Sequence, residues 1–307
     1  MKKWLLLLLV VVVVIAAVWL VRSPYWLRFT FGVSDTLRDR GLATPDTVTR
    51  IDNERYGADP MQVFDVYYPK GTESPLPTIV SIHGGGYTYG TKEVYQYYCM
   101  SLAEHGFTVV NFSYRLAPGS RYPAPLEDTN ALMTAICANA AAYRIDTGCI
   151  FFVGDSAGGQ LNAQYCTAVS NPAYAEYLGL TIPDFTLRGT ALNCGVYRPE
   201  DLTSITWYFA DEADAQQLDL TPYITSAYPP SFVMSATGDS CLPYAEPFCR
   251  LLQDRGVYAE LHIYGDSSEK PPHVFHVNIK TDVATLCNDE ECAFFRACLD
   301  GTLESRA

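Results

Sequence analysis

The chain has 307 residues and a formal net charge of −13 at pH 7. This length is enough for one large α/β domain in addition to a short N-terminal segment. The acidic balance, with no basic stripe to follow phosphates, argues against nucleic acid as a partner.

The first predicted element is an apolar helix at the N-terminus. Residues 4–21 contain no charged or strongly polar side chain, and as a helix they would extend about 27 Å, close to the thickness of a hydrocarbon core. A secretory signal has a shorter apolar run and a small-residue cleavage site after it. We therefore predict an uncleaved single-pass membrane anchor at 1–22, with a cleaved signal peptide as the alternative. Basic residues flank the segment on both sides, so the sequence does not decide which side of the membrane holds the remaining chain.

Ten cysteines are spread along the chain, most of them inside apolar stretches. None forms a CxxC pair, so the sequence predicts no zinc site. Cysteine in such surroundings behaves as a small hydrophobic residue, which suggests a reducing compartment or an anaerobic host. The even number also permits disulfides, and Cys287 and Cys292 form the candidate pair.

After the N-terminal segment, an irregular polar stretch extends to about residue 50, and short apolar runs then alternate with stretches of helical spacing. The predicted strands are 64–68, 78–82, 108–112, 150–153, 190–194, 231–235 and 259–264. The predicted helices are 94–105, 125–143, 158–169, 244–255 and 283–303. This alternation predicts an α/β fold with a mostly parallel sheet and helices on both faces.

The region 198–228 interrupts this alternation of strands and helices. It contains an aromatic run, Trp207 to Phe209, followed by an acidic cluster at 211–214. We interpret it as an insertion that packs over the end of the sheet as a small cap. The alternative is an ordinary surface loop with one helix.

The run GDSAGG at 154–159 directly follows an apolar strand and opens a helix. This is the strand–turn–helix setting of a G-x-S-x-G nucleophile elbow. Glycines two residues away on either side let strand and helix approach closely, while the helix N-terminus favours developing negative charge. The pattern predicts Ser156 as a nucleophile. The alternative is a glycine-rich turn whose serine only caps the helix.

The run HGGG at 83–86 follows the predicted strand 78–82. Glycines leave backbone amides unobstructed, so this turn is predicted to supply an oxyanion hole. We predict the amides of Gly84 and Gly85 as donors, together with the amide of Ala157. His83 precedes the nucleophile in the chain, whereas proteins with a nucleophile elbow of this kind have their triad in the chain order serine, acid, histidine. We therefore expect His83 to hold the turn in place through hydrogen bonds.

Candidates for the acid and the base follow the later strands. Asp239 lies in a turn after the predicted strand 231–235, and His273 lies in the loop after the last strand. His276 is the alternative base, because either histidine could carry a proton between Ser156 and a leaving alcohol. The alternative for Asp239 is a turn aspartate with no catalytic role.

Several motifs together resemble the hormone-sensitive-lipase-like branch of the α/β hydrolases, over about 51–275. They are HGGG at 83–86, YRLAP at 114–118, PAPLED at 123–128, GDSAGG at 154–159 and Pro229-Pro230. An N-terminal anchor joined to such a domain is similar to the arylacetamide deacetylase type. The resemblance implies a triad of Ser156, Asp239 and His273, and an oxyanion hole of Gly84, Gly85 and Ala157. It also implies a cap built from 23–50 and 198–228.

Two positions depart from the family pattern. The family has Asp-Pro-Leu at the acid, where this chain has Asp239-Ser240-Cys241. It has His-Gly-Phe at the base, where this chain has Val274 in place of the glycine. A β-branched residue stiffens the backbone there, so the choice between His273 and His276 stays open.

These residues predict a serine hydrolase that cleaves small carboxylic esters with short or medium acyl groups through an acyl-enzyme. The predicted chemistry uses no metal and no organic cofactor. The alternatives are an amidase, peptidase or deacetylase on the same triad, and a ligand-binding receptor of the same fold that has lost its chemistry.

Overall fold

The computed structural model describes residue 4 and residues 23–202, 207–209 and 216–303. Two compact units are present, Met1–Arg40 and Gly41–Ala307. The first contains helix α1, Pro24–Asp39, whose first turn is capped by the Ser23 hydroxyl. The predicted anchor at 1–22 lies outside the described residues except for residue 4. Among the helices that are described, none has the length and apolar character needed to cross a membrane.

The second unit is built on one eight-stranded sheet. Its strands are β1 Val48–Arg55, β2 Val63–Pro69, β3 Leu76–Ile82, β4 Thr108–Phe112, β5 Ile145–Asp155, β6 Leu187–Asn193, β7 Ser231–Ala236 and β8 Ala259–Tyr264. Their order across the sheet is β1-β2-β4-β3-β5-β6-β7-β8. Strands β1 and β2 pair antiparallel, as do β2 and β4, and every other neighbouring pair is parallel. The structure confirms the predicted α/β fold with a mostly parallel sheet.

The helices of this unit lie between successive strands, except for the last helix, which follows β8. They are α2 Lys92–Glu104, α3 Ala124–Ala138, α4 Ala157–Ser170, α5 Pro172–Tyr177, α6 Pro199–Leu202, α7 Leu242–Asp254 and α8 Asp282–Asp300, with 3-10 turns at Ala140–Tyr143 and Phe275–Val277. Parallel strands need such crossovers, and the carboxyl ends of the parallel strands meet at one edge of the sheet, where sites form in folds of this kind.

Neighbouring residues of the central strands contribute to opposite faces of the sheet. Ile79 and Phe151 belong to one buried cluster, which also contains residues of α2 and α8. Val80 and Phe152 belong to another, which contains residues of α3, α4 and α7. Side chains alternate across a strand, so a fully apolar run buries both faces. This is why the continuous apolar runs predicted the strands correctly.

Three sequence predictions on the elements need correction. Strand β1 was not predicted, because its sequence is polar and it pairs at the edge of the sheet; it takes residues 48–50 out of the predicted cap segment 23–50. The helix predicted over 125–143 ends at Ala138 and continues only as a short 3-10 turn. The stretch predicted as irregular before residue 50 contains α1.

The predicted pairing of Cys287 with Cys292 is also wrong. Both cysteines are free and fully buried on α8. Their side chains lie among apolar neighbours of the sheet face, so each serves as a small hydrophobic residue.

Candidate active site

Ser156 occupies the sharp turn between β5 and α4. Its backbone angles are φ 52° and ψ −117°, a combination unusual for a residue with a side chain. The Ser156 amide donates to the carbonyl of Asn193, 2.9 Å away at the end of β6, which fixes the turn. A Cβ at Gly158 would overlap the carbonyl oxygen of Ile82, so this glycine allows the helix to approach β3. The sequence predicted this setting.

The structure brings the predicted acid and base to this serine. His273 Nε2 lies 2.9 Å from the Ser156 hydroxyl oxygen, and His273 Nδ1 lies 2.6 Å from an Asp239 carboxylate oxygen. The carboxylate also accepts hydrogen bonds from the Ser235 hydroxyl at 2.7 Å and from the Cys241 amide at 2.8 Å. Asp239 is therefore held by two further groups, so its orientation does not depend on the histidine alone.

Charge interactions separate the two pKa values of this pair. Burial raises the pKa of Asp239, but the hydrogen bond from His273 and those from Cys241 and Ser235 outweigh it, so the pKa lies below the ordinary value. Burial lowers the pKa of His273, and the Asp239 carboxylate and the Cys241 thiol reverse this, so the pKa lies above the ordinary value. Asp239 is consequently ionised and favours a proton on the imidazole.

His276, the alternative base, lies elsewhere. Its ring is buried and packs edge-on against Tyr98, with 5.1 Å between ring centroids. Its carbonyl accepts a hydrogen bond from the Asn288 amide group at 3.1 Å. The structure thus places His273, and not His276, at hydrogen-bonding distance from Ser156.

The glycine turn after β3 differs from the prediction in one residue. The Gly84 amide donates to the Tyr95 hydroxyl at 3.1 Å, and that hydroxyl donates to an Asp155 carboxylate oxygen at 2.8 Å. An amide that already donates to a hydroxyl cannot also donate to an oxyanion. The prediction that Gly84 belongs to the oxyanion hole is therefore wrong. Sequence reasoning could not foresee this, because Tyr95 reaches the turn from α2.

The amides of Gly85 and Gly86 have no acceptor among the described residues. Both glycines have positive φ, 108° and 59°, which turns the backbone in a way that side chains oppose. The Ala157 amide, the first of α4, also has no partner inside its helix, as expected for a helix N-terminus. The Ala157 amide directly follows Ser156, and Gly84, the residue before the two glycines, lies against Asp155 and Ser156.

His83 has the structural role that the sequence predicted. Its Nδ1 lies 2.8 Å from the Gly84 carbonyl oxygen, and its ring stacks on Tyr114 with centroids 4.0 Å apart. Burial lowers the pKa of His83 to about 4, although the hydrogen bond to Gly84 opposes this. A neutral imidazole can donate from Nδ1 to the carbonyl and hold the glycine turn in place.

Sequence reasoning missed a buried carboxylate that supports the turn carrying Ser156. Glu291 of α8 is fully buried, and its oxygens accept from the Tyr98 hydroxyl and the Asn193 amide group, both at 2.7 Å. Asn193 is the residue whose carbonyl holds the Ser156 amide. Glu291 thus connects α8 to the nucleophile turn. Nothing in the local pattern of α8 distinguishes it from the acidic residues beside it.

Part of the predicted cap region lies at the glycine turn after β3. The Trp207 indole donates to the Gly86 carbonyl at 3.4 Å, and Tyr208 stacks on Tyr87 with centroids 3.7 Å apart. The Tyr208 carbonyl also accepts from the Tyr122 amide at 3.1 Å. The acidic cluster at 211–214 lies outside the described residues. The described aromatic run therefore packs on the glycine turn, and the cap stays a prediction.

Comparison with known proteins gives a consistent result. Residues 79–277 match the family model described as the alpha/beta hydrolase fold. The carboxylesterase NlhH of Mycobacterium tuberculosis is 29% identical over 249 residues, which cover 73% of this chain and 77% of that protein. The versiconal hemiacetal acetate esterase of Dothistroma septosporum is 36% identical over 107 residues, covering 34% of this chain and 33% of that protein. With that relative the match thus spans only about a third of each chain.

Among solved structures, esterase B of Lactobacillus rhamnosis aligns with a TM-score of 0.82 and 24% identity, covering 89% of this chain and 93% of that one. An esterase of Pyrobaculum calidifontis aligns with a TM-score of 0.73 and 23% identity, covering 90% of this chain and 94% of that one. At these identities the alignments establish the fold.

Proposed function

The chain belongs to the α/β-hydrolase fold family, and we propose that it is a serine hydrolase that cleaves small carboxylic esters. The observation that carries this is the hydrogen-bonded row from Ser156 through His273 to Asp239, with distances of 2.9 Å and 2.6 Å. The named esterases among the relatives support the same class of reaction.

In the first half of the reaction, Ser156 attacks the acyl carbon while His273 Nε2 takes its proton. Asp239 holds the imidazole in the tautomer that accepts at Nε2 and stabilises the imidazolium that forms. The imidazolium then gives the proton to the leaving alcohol. In the second half, water attacks the acyl-enzyme by the same route and releases the acid.

The tetrahedral oxyanion is stabilised by the backbone amides of Gly85, Gly86 and Ala157. Gly85 and Ala157 retain the roles expected from the sequence, and Gly86 replaces Gly84. Each well-placed donor of this kind is worth about 3–4 kcal/mol in the transition state. All groups used in these steps are side chains, backbone amides and water.

The preferred esters have short or medium acyl groups. The described part of the cap is small, and its aromatic side chains Trp207 and Tyr208 pack directly on the glycine turn. This arrangement favours a compact substrate beside Ser156 over a long lipid tail. The relatives include an acetate esterase, which acts on a short acyl group.

The chain is also proposed to be tethered to a membrane through residues 1–22, in an arrangement similar to arylacetamide deacetylase. The support is the uncharged run at 4–21, whose length matches a hydrocarbon core.

The test uses the full chain in detergent, incubated with a fluorophosphonate and with nitrophenyl esters of graded acyl length. We expect one label on Ser156, turnover that falls as the acyl chain lengthens, and loss of both in Ser156→Ala. The matched pair His273→Ala and His276→Ala tests the base, and only the first should abolish turnover.

Other outcomes would assign a different function. Labelling of Ser156 with turnover of anilides but not of esters would indicate an amidase, peptidase or deacetylase. No label and no turnover by a folded chain would indicate a ligand-binding receptor of this fold.

A further inference from the structure

Three side chains of the kinds that bind metals, one of them His273, lie close together at the site. One ligand atom each from Cys194, Asp239 and His273 lies within 4.8 Å of the other two. Among the described residues, this is the single group of three or more such side chains. Sequence reasoning could not find this group, because the three residues are far apart in the chain.

The fold fixes two of the three groups rigidly. Cys194 directly follows β6, is fully buried, and its amide donates to the Met234 carbonyl at 2.8 Å. Asp239 follows the neighbouring strand β7 and is held by the Ser235 hydroxyl and the Cys241 amide. The Cys194 thiol itself hydrogen-bonds to the Asp239 carboxylate. Its sulfur therefore lies against the carboxylate that orients His273.

The donor set suits a soft or borderline cation. Thiolate, imidazole and carboxylate are the three ligand types that bind Zn²⁺, and an open site has three protein ligands and a fourth position for water. The Met234 thioether sulfur lies 3.9 Å from the Cys194 sulfur, which adds a second soft atom beside the site. The His273 side chain is 34% exposed, whereas Cys194 and the Asp239 side chain are buried, so a cation would reach the group past His273.

We propose that Cys194, Asp239 and His273 bind a thiophilic divalent cation such as Zn²⁺ or Cd²⁺, and that the bound cation inhibits the enzyme. The inhibition rests on the proposed ester hydrolysis, whereas the binding does not.

The proton changes explain the inhibition. Binding breaks the S–H bond of Cys194 and releases that proton to water, so thiolate and carboxylate together balance the two positive charges. The cation takes the place of the proton on His273 Nδ1, and that proton moves to Nε2. A protonated Nε2 donates to the Ser156 oxygen and no longer accepts its proton, so the nucleophile has no base.

Cys194 is fully buried, and its thiol must lose a proton before it binds a cation. Only a cation with strong affinity for thiolate can displace that proton. Hard cations such as Mg²⁺, which prefer oxygen ligands, should therefore not compete.

The experiment titrates the metal-free full chain in detergent with Cd²⁺, Zn²⁺ and Mg²⁺, in buffer without thiols or chelators. Cd²⁺ binding is followed by the ultraviolet charge-transfer absorption of the cadmium–thiolate bond, and inhibition by nitrophenyl ester turnover relative to each variant's own metal-free rate. The matched control is Cys241→Ala, since the Cys241 thiol also interacts with His273.

For the wild type and Cys241→Ala we expect one equivalent of cadmium–thiolate absorption and inhibition by Cd²⁺ and Zn²⁺, reversed by a chelator, with no effect of Mg²⁺. Cys194→Ala should lose the absorption and require at least about tenfold more Cd²⁺ for inhibition, since a ligand is removed. If Cys194→Ala does not fold, Cys194→Gly replaces it, because the φ of 51° at this position favours glycine.

Unchanged absorption in the Cys194 variant, or unchanged inhibition in it, would overturn the proposal. A wild-type chain that binds Cd²⁺ through Cys194 but hydrolyses no ester would instead refute the proposed function and retain the site.

Discussion

Ser156 and Val274 hold backbone conformations that their side chains disfavour. Ser156 has φ 52° and Val274 has φ 61°, and such conformations cost on the order of 1–3 kcal/mol each. Both residues lie at the site: one carries the nucleophile and the other follows His273. The surrounding hydrogen bonds, such as that from the Ser156 amide to Asn193, keep this strain in place.

The Asp239–His273 pair determines how activity should depend on pH. The pKa of His273 is raised, and the base acts only when neutral, so kcat/KM should rise as pH increases through a value above the ordinary 6.5 of histidine. Asp239→Asn removes the carboxylate, so kcat should fall by about 10³–10⁴-fold and the midpoint should move to lower pH. The pH profiles of the two proteins test this; an unchanged midpoint would contradict it.

Val274 occupies the position where the family has glycine, and its φ of 61° and ψ of 32° explain that preference. Alanine normally stabilises a protein relative to glycine by about 0.4–1 kcal/mol, but the left-handed conformation penalises any Cβ by about 1–2 kcal/mol. We therefore expect Val274→Gly to have a higher free energy of unfolding than Val274→Ala.

Urea denaturation of the two Val274 variants measures this difference, and both lose the same valine contacts. A more stable alanine variant would show that the left-handed conformation is not maintained in solution.

At the scale of elements, α8 contributes a buried carboxylate to the support of the nucleophile turn. Burial raises the pKa of Glu291 to about 7, despite the hydrogen bonds from Asn193 and Tyr98. The unfolded chain has the ordinary value of about 4.3. Between these two values the folded state binds more protons than the unfolded state, so this group stabilises the fold at low pH and loses that contribution as pH rises to about 7.

Glu291→Gln should remove this dependence, because the amide stays neutral while retaining the shape of the side chain. We expect the free energy of unfolding of the variant, relative to wild type, to be about 2–3 kcal/mol more favourable at pH 8 than at pH 5. Urea midpoints at the two pH values measure it, with Asp289→Asn as an exposed control on the same helix. Equal gains at both pH values would contradict the titration of Glu291.

At the scale of the whole molecule, the proposed catalytic groups all lie within the unit Gly41–Ala307. An anchor at 1–22 is therefore separable from the chemistry. Deleting these residues should release the protein from membranes at alkaline pH, with kcat/KM changed by no more than about twofold, since a compact unit has its own core.

Membrane extraction followed by an ester assay tests the anchor. Val12→Arg is the matched variant, because a charge at the centre of a spanning helix costs about 2.5–3.5 kcal/mol. Release of the unaltered full chain by alkali would refute the anchor. A purified chain lacking residues 1–22 would identify the segment as a cleaved signal.

The sequence by itself determined the fold class and most of the candidate site. The apolar runs of β3 and β5 must be buried on both faces, which requires a parallel sheet covered by helices. The glycines around Ser156 and after His83 are local requirements of a sharp turn and open amides, so they were visible as short motifs. The chain order of acid and base followed from the fold that these motifs indicated.

Only the tertiary structure decided which groups meet. The sequence left His276 as an alternative to His273, but His273 points to Ser156 and His276 packs in the core against Tyr98. Tyr95 takes the Gly84 amide from another element. Glu291 and Cys194 approach the site from strands and helices distant in the chain. Local patterns record backbone and burial requirements, whereas hydrogen bonds between distant segments depend on how those segments pack.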